Sequence, residues 1–568
     1  MVEFKKRSKT IIPNRTIASA DVAIIGGGIA GQSIARQLRL KMPDISITII
    51  ERNTFPLREA AIKVGESTVE MGAHYYSDIL RLKPHLQQKQ LPKLGLRYFF
   101  PSKDNSDITA RFEMGSAQLP TPVPTYQIDR GRFENYLFEL NKNNNINILE
   151  GCQVLSLEIS STAEALHSLI YSDQQHRKCK LNAKWLIDAS GRFGIIKRKL
   201  ELQQPVKHDC CAAWFRVGEV IDINTWSADS AWQYRSPLKQ RKYSTNHLMG
   251  NGYWVWLIPL ASNSTSIGVV YDPKLHSQLN FKTFESTLEW LIQNEPQLAG
   301  IIKKLENKLL DFRWLKQYAY SCKQIYSNDR WFLTGEAGVF ADPFYSPGND
   351  FIALSNTYIT DLIYRDKQKQ DISSRLKIYN DTYLNYFNLL LTHFEDQYSN
   401  FGNAYLMIEK ILWDTICAFS IPYLIFIKNK FCDLEFMNKI GNEAINKYKH
   451  LTKHVQQYFK EGKNQYQIDQ LENNYLNFSD LIHSKYYGGK IYRQLYKKLD
   501  EPTLESEIAS NLKLMERLAH DITSGRPIIP QFYINGDGNK NNLWRVTKAQ
   551  LTLALQNQWD QTQENITT

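Results

Sequence analysis

The sequence predicts a mixed α/β (α+β) fold built around a nucleotide-binding domain, and three observations predict it. A Gly-x-Gly-x-x-Gly turn lies between two apolar runs in residues 21–51. Patterning of β type runs from Cys210 to Tyr271, and beyond about Gln370 the spacing turns helical with almost no glycine fingerprint. A chain of 568 residues is long enough to bury a large core and to split into two or three regions.

The first observation is the most specific. Val22, Ala23, Ile24 and Ile25 read as a buried strand, broken at Gly26-Gly27-Gly28. Ile29, Ala30, Ile34, Ala35 and Leu38 carry a helical pattern, and the run Ile45–Ile50 ends in Glu51. Strand, turn, helix, strand and acid in this order form the dinucleotide fingerprint of a Rossmann-type domain. Gly26 permits the tight turn, Gly28 lets backbone N–H groups approach a pyrophosphate, and Gly31 lets helix and strand pack closely. Glu51 stands where a carboxylate accepts from ribose hydroxyls. Ile29 and Ala30 at the helix start and Arg52 just past Glu51 join the candidate nucleotide site.

Bulk properties narrow the function classes. With 12% aromatic and 22% charged residues the chain is ordinary globular protein. A net charge of +11 reads as a lysine-rich solvated surface or as attraction to an acidic partner, a carrier protein or an anionic membrane. No arginine-rich tract with interleaved aromatics points to nucleic acid. Seven cysteines form an odd set without metal-ligand spacing, so no metal is expected and a reducing cytoplasm fits. The basic N-terminus has no apolar run behind it, hence no secretory signal is expected. The longest apolar stretch, Thr415–Ile427, is too short to span a bilayer and contains Pro422; it reads as a buried helix, or else as an interfacial segment.

The remaining elements follow in order. Gly65-Glu66-Ser67-Thr68 before Val69 resembles a helix cap, either simple capping or free N–H groups facing a ligand. Alternation from Lys93 to Phe100 predicts one strand with Lys93 near its start, opposite Leu94. Asp129 caps a helix running through Phe133 and Leu137, with Arg130 placed to meet phosphate or carboxylate. Asn147–Leu155 reads as a strand, and Lys184–Gly191 as another that ends in Asp188-Ala189-Ser190-Gly191, small enough for a cofactor to pass. Trp254 and Trp256 share one face of a strand, Tyr253, Val255 and Leu257 the other, and Pro259 ends it. The tryptophans are either core or a rigid wall for a flat ring. After Leu333 comes Gly335-Glu336-Ala337-Gly338, then a loop with Pro343 and Pro347, then amides from Gly348 to Phe351 at a helix N-terminus. Ser524–Lys540 reads as a break with Asn-Gly and Asp-Gly turns.

Taken together, Gly26–Gly31, Lys93-Leu94-Gly95, Trp254-Val255-Trp256-Leu257-Ile258-Pro259 and Gly335–Gly348 resemble the flavin-dependent halogenases of the tryptophan-halogenase-like type. The Trp-x-Trp-x-Ile-Pro signature matches residue for residue, and the likeness covers roughly Asp21 to Thr360. It implies a hydroxybenzoate-hydroxylase-like fold: a discontinuous FAD-binding domain (1–75, 120–208, 320–370), an inserted substrate sheet (76–119, 209–319) and a helical region (371–568). It also implies reduced FAD from a partner flavin reductase, O2 and halide. Together these give hypohalous acid, which Lys93 passes to an electron-rich aromatic or phenolic substrate, free or carrier-bound.

In the same terms Asp188, Gly191, Glu336, Gly348 and Asn349 border the FAD. Glu336 stands where the family has Asp. Ser346 joins Lys93 as a candidate catalytic residue, and Trp254, Trp256, Pro259, Tyr345 and Pro347 line the substrate side. The family's Glu-Ser-Thr-Gly is here Tyr345-Ser346-Pro347-Gly348, so the carboxylate is missing and Pro347 has no N–H to offer a halide. The alternatives are a flavin monooxygenase or desaturating oxidase of the same fold, and a flavin-binding protein without chemistry.

Overall fold

The computed structural model describes residues 18–115, 123–162, 165–236, 239–277, 281–462, 475–477 and 491–526. Five parallel strands form the nucleotide-binding sheet, in the order Asn147–Leu149, Ile47–Ile50, Ala18–Ile25, Lys178–Asp188 and Trp331–Leu333. The antiparallel pair Gln153–Glu158 and His167–Ser172 extends it beside Lys178–Asp188. The strand expected over Asn147–Leu155 is therefore two. Gly151, at φ +64°, turns the chain between them.

An eight-stranded sheet stands beside the first. Its order is Leu309–Leu315, Cys211–Val217, Ser264–Tyr271, Tyr253–Leu260, Thr245–Gly250, Leu96–Phe99, Glu113–Gly115 and Tyr475–Asn477. One face, with Tyr253, Val255 and Leu257, is covered by helices Phe284–Asn294 and Pro296–Lys303. The other, with Trp254 and Trp256, joins the core shared by the nucleotide domain and the helical region. Pro259 does not end its strand. It pairs with Thr265 and the strand runs to Leu260, because pairing on the other edge stops at Asn246↔Leu257, where the missing N–H is not needed.

The C-terminal region is mainly helical: Ser373–Leu391, Ala404–Ser420, Pro422–Ile427, Asn442–Lys460 and Glu501–Thr523. The apolar run expected from Thr415 begins earlier, at Ala404, since Glu409, Lys410 and Asp414 interrupt its composition without breaking its helix. From Ala404 to Ile427 it is long and apolar enough to cross a membrane, yet 89% of its most apolar window is buried in the protein. It is a core helix. Residues 527–540, the greater part of the expected turn segment, lie outside the described residues.

Candidate active site

At the nucleotide fingerprint, Gly26 takes φ +104°, and a Cβ there would lie 2.4 Å from the Ala189 carbonyl oxygen. A Cβ on Gly31 would meet the Gly26 carbonyl oxygen at 1.9 Å, so only glycine lets helix Ile29–Lys41 seat on the turn. Gly28, Gly191 and Gly348 differ: a Cβ on any of them meets nothing within 4 Å. Gly28 and Gly191 thus border open space just past the carboxyl ends of Ala18–Ile25 and Lys178–Asp188, where ligands of open α/β sheets bind, and Gly348 is open at the start of its helix. Residues and space fit an FAD.

The acids around that space are tightly held. Glu51 accepts from Gly27 N at 2.6 Å and, through its other oxygen, from Asn53 N at 2.8 Å. A carboxylate retains lone pairs beyond these for ribose hydroxyls. Asp188 accepts from Ser190 N and Oγ (3.0 and 2.6 Å) and from Ile196 N (2.7 Å), so it shapes the Ala189–Ile195 loop with both oxygens. Glu336 stands 3.9 Å from Arg192, and burial raises its carboxyl above the usual range. Arg130 is committed to Glu134 (2.5 Å) and to the Val64 carbonyl, beside Gly65. Arg52 is exposed. Ala30 packs against the Gly335 turn, which brings the first and last thirds of the domain together.

Lys93 is placed by a break the alternation hides. Gly95, at φ +68°, splits the expected strand into Leu91–Lys93, paired with Thr125–Gln127, and Leu96–Phe99 of the large sheet. Lys93 therefore ends one strand between the two sheets and is 2% exposed. Its Nζ donates to Ser67 Oγ at 2.8 Å and to the Thr68 carbonyl at 2.7 Å. Burial lowers its pKa to about 8, against the opposing pull of Glu70 and Asp350. The Gly65–Thr68 element does not cap the helix Glu70–His74, as expected. Thr68 exchanges hydrogen bonds with the Tyr126 backbone and Ser67 bridges to Gln127, so the segment is a strap holding the lysine.

Two buried carboxyls attend Lys93 without touching it. Asp350 accepts from Gly72 N (2.8 Å) and Tyr423 (2.7 Å), and burial pushes it up to about 7. Glu70 accepts from Tyr492 at 2.9 Å and is raised by burial. Neither was singled out in the sequence, although Asp350 directly follows the candidate Asn349. Asn349 donates to the Ser67 carbonyl at 3.2 Å and accepts from Tyr76 at 2.8 Å, tying the helix start Gly348–Lys367 to the strap. Ser346 occupies a left-handed turn at φ +57° just before that helix, and Pro347 is its N-cap.

The tryptophan face is buried and packs among aromatic rings. Trp254 lies 5.7 Å from Trp256 and 5.1 Å from Phe344, with His247 at 5.4 Å. Trp254 donates to Tyr398 (3.0 Å), which donates to Asp342 (2.6 Å); Tyr318 donates to that same Asp342 oxygen, and His208 lies 2.6 Å from it. Tyr345 donates to Asp414 of the helical region at 2.8 Å. Tyr398, Tyr423, Tyr492 and Asp414 all come from that helical region. No local spacing announces such contacts. Among the described residues no cluster of His, Cys, Asp and Glu could hold a metal.

This is the mixed α/β architecture of a flavoprotein oxidoreductase. Residues 106–388 match the tryptophan halogenase family, and residues 24–89 match an NAD(P)-binding Rossmann-like domain. The chain is 29% identical over 433 residues to the flavin-dependent halogenase chlA of Dictyostelium discoideum, covering 71% of this chain and 70% of that protein. It is 25% identical over 360 residues to a 1H-pyrrole-2-carbonyl-[peptidyl-carrier protein] chlorinase of Pseudomonas fluorescens, covering 60% and 74%. Among solved structures, halogenase PltM superposes with a TM-score of 0.63 at 15% identity, covering 89% of this chain and 96% of that one. In sequence the chain is thus similar to the flavin-dependent halogenases, enzymes that work with FAD, halide and O2.

Proposed function

We propose that this enzyme halogenates an electron-rich aromatic or phenolic substrate through Lys93, and the observation that carries the reading is the burial of that lysine against neutral acceptors only. Gly26–Gly31, with Gly191 and Gly348 beside them, would hold an FAD, whose reduced form would supply the two electrons that turn O2 and halide into hypohalous acid and water. Two N–H groups of Lys93 are spent on Ser67 and Thr68, so in the neutral amine the lone pair is the remaining valence. The amine takes the halogen, forming N–X and releasing water. The arene carbon then attacks the halogen, and the ring proton returns the nitrogen to an amine. A pKa near 8 keeps a useful share of neutral amine available at physiological pH. Trp254 and Trp256 wall the aromatic ring away from the flavin, which disfavours direct oxygenation.

Pro347 favours the second reading, a monooxygenase, since it removes one halide-binding amide. The burial of Lys93 weighs against it, because transfer of oxygen directly at the flavin needs no enclosed amine. The relatives that act on carrier-bound pyrrole, together with the net charge of +11, support a substrate presented on an acidic carrier protein. A separate reductase supplies reduced FAD, and the seven free cysteines suit a reducing cytoplasm. The test is mass spectrometry of products from phenols, pyrroles and indoles, free or carrier-loaded, with chloride or bromide and an added flavin reductase. Halogenated product that requires the reductase is expected. Hydroxylated product, with bound FAD bleached by NADPH alone, would move the enzyme to the monooxygenases.

A further inference from the structure

Lys93 heads a chain of hydrogen bonds that leads away from the reaction space. Lys93 Nζ donates to Ser67 Oγ (2.8 Å); Ser67 Oγ lies 3.0 Å from Thr245 Oγ1; Thr245 Oγ1 donates to Gln127 Oε1 at 3.1 Å. All four side chains are buried, Gln127 completely. They come from four different segments: the strap, the short strand of the lysine, its partner Thr125–Gln127, and Thr245–Gly250 of the large sheet.

The sense of the chain is fixed from its lysine end. An ammonium only donates, so Ser67 must accept from it and turn its own proton to Thr245. Thr245, accepting that proton, has its hydroxyl free for the Gln127 carbonyl oxygen. Every hydroxyl therefore points away from the lysine. Ser67 has no proton left with which to occupy the nitrogen when the amine becomes neutral. A serine without Thr245 behind it would rotate and donate to the lone pair, where the halogen must go.

We propose that Ser67 is a positioning residue for the halogen-transferring amine, kept as a pure acceptor by Thr245 and Gln127 so that the lone pair of Lys93 stays open. This rests on the reading of Lys93 as the halogen carrier. The groups facing that lysine are Glu70 on its short helix, Asp350 at the start of Gly348–Lys367, and His247 in the large sheet, whose pKa is lowered to about 3 by burial. The chain acts through hydrogen-bond direction, whereas these groups act through charge.

The test compares FAD-loaded Ser67→Ala, Ser67→Thr, Thr245→Val and Lys93→Met with the unaltered enzyme. Halogenated product per flavin reoxidised, free hypohalous acid caught by a soluble thiol probe, and the pH profile of product formation are measured. Ser67→Ala is expected to lose about tenfold to a hundredfold in product per flavin reoxidised, since one positioned bond is removed. Flavin reoxidation should continue, hypohalous acid should leak, and the alkaline-rising limb should move to lower pH because the ammonium has lost an acceptor. Ser67→Thr, which keeps the hydroxyl, should recover most of the product. Thr245→Val should fall several-fold by freeing Ser67 to block the amine, and it serves if Ser67→Ala does not fold. Unchanged coupling and an unmoved limb in both Ser67→Ala and Thr245→Val would overturn the proposal. If Lys93→Met itself still halogenates, the reading of Lys93 fails instead, so the two failures are distinct.

Discussion

Lys93 and Lys410 are both buried, at 2% and 0% exposure, and their surroundings differ in one respect. Lys410, in helix Ala404–Ser420, donates to Asp414 at 2.8 Å and to Gln456 Oε1 at 2.8 Å, and His393 stands 3.3 Å from the same carboxylate. Lys93 has a hydroxyl and a carbonyl in contact, and its carboxyls, Glu70 and Asp350, act only from a distance. Burial lowers both pKa values. A contact counterion makes the first a member of a closed structural cluster, while its absence leaves the second an amine that can lose its proton and react. Burial alone does not make a lysine functional; what touches the nitrogen does.

The largest expected effect falls on Lys93→Arg. A guanidinium stays protonated and is bulkier, so halogenated product should drop about 10³-fold, ~4 kcal/mol of lost transition-state stabilisation. The measurement is product by mass spectrometry at saturating substrate. Next comes stability. Lys410→Met leaves Asp414 buried without its ammonium partner and should cost about 3 kcal/mol in denaturant unfolding. Lys93→Met removes a charge without a contact partner, and should leave stability unchanged or raise it by ~1 kcal/mol. Equal destabilisation of the two variants would erase the distinction.

The pH dependence sharpens it further. The folded pKa of Lys93, about 8, lies below its ordinary 10.5, so its charged form is penalised in the fold. That penalty is full below pH 8 and fades as pH rises toward 10.5, over which range the unfolded chain binds more protons and stability gains. Product formation should rise about tenfold per pH unit below roughly 8 and level above it. A rate that falls through pH 8 would mean the ammonium is the working form. The smallest effect belongs to Asp350→Asn. Removing a carboxyl that supports the ammonium should shift the rising limb to lower pH by less than about one unit.

The nucleotide domain was legible because its signal is local: Gly26, Gly28, Gly31 and Glu51 lie within one strand–turn–helix–strand unit. The tryptophan face was legible for the same reason, as a period of two along Tyr253–Leu257. Lys93 was found as a residue but misplaced in structure, since a single left-handed Gly95 splits a segment whose alternation runs straight through it. Ser67 lies in an element whose residue types are those of a helix cap. The rest of the site was not legible. Asp342 with Tyr398, Asp350 with Tyr423, Glu70 with Tyr492 and Tyr345 with Asp414 join residues 56, 73, 422 and 69 positions apart, and pairing at such range leaves no periodic trace. A tyrosine that packs in a helix and one that holds a buried acid have the same local pattern.

The most direct measurement is a single turnover of FAD-loaded Lys93→Met, reduced beforehand and mixed with O2, halide and the best substrate of the product panel. Flavin reoxidation and halogenated product are read from the same sample. Reoxidation at the rate of the unaltered enzyme and product reduced about 10³-fold are expected, because Met fills the volume without offering an amine. Product at near the unaltered yield would contradict the reading of Lys93 as the halogen carrier.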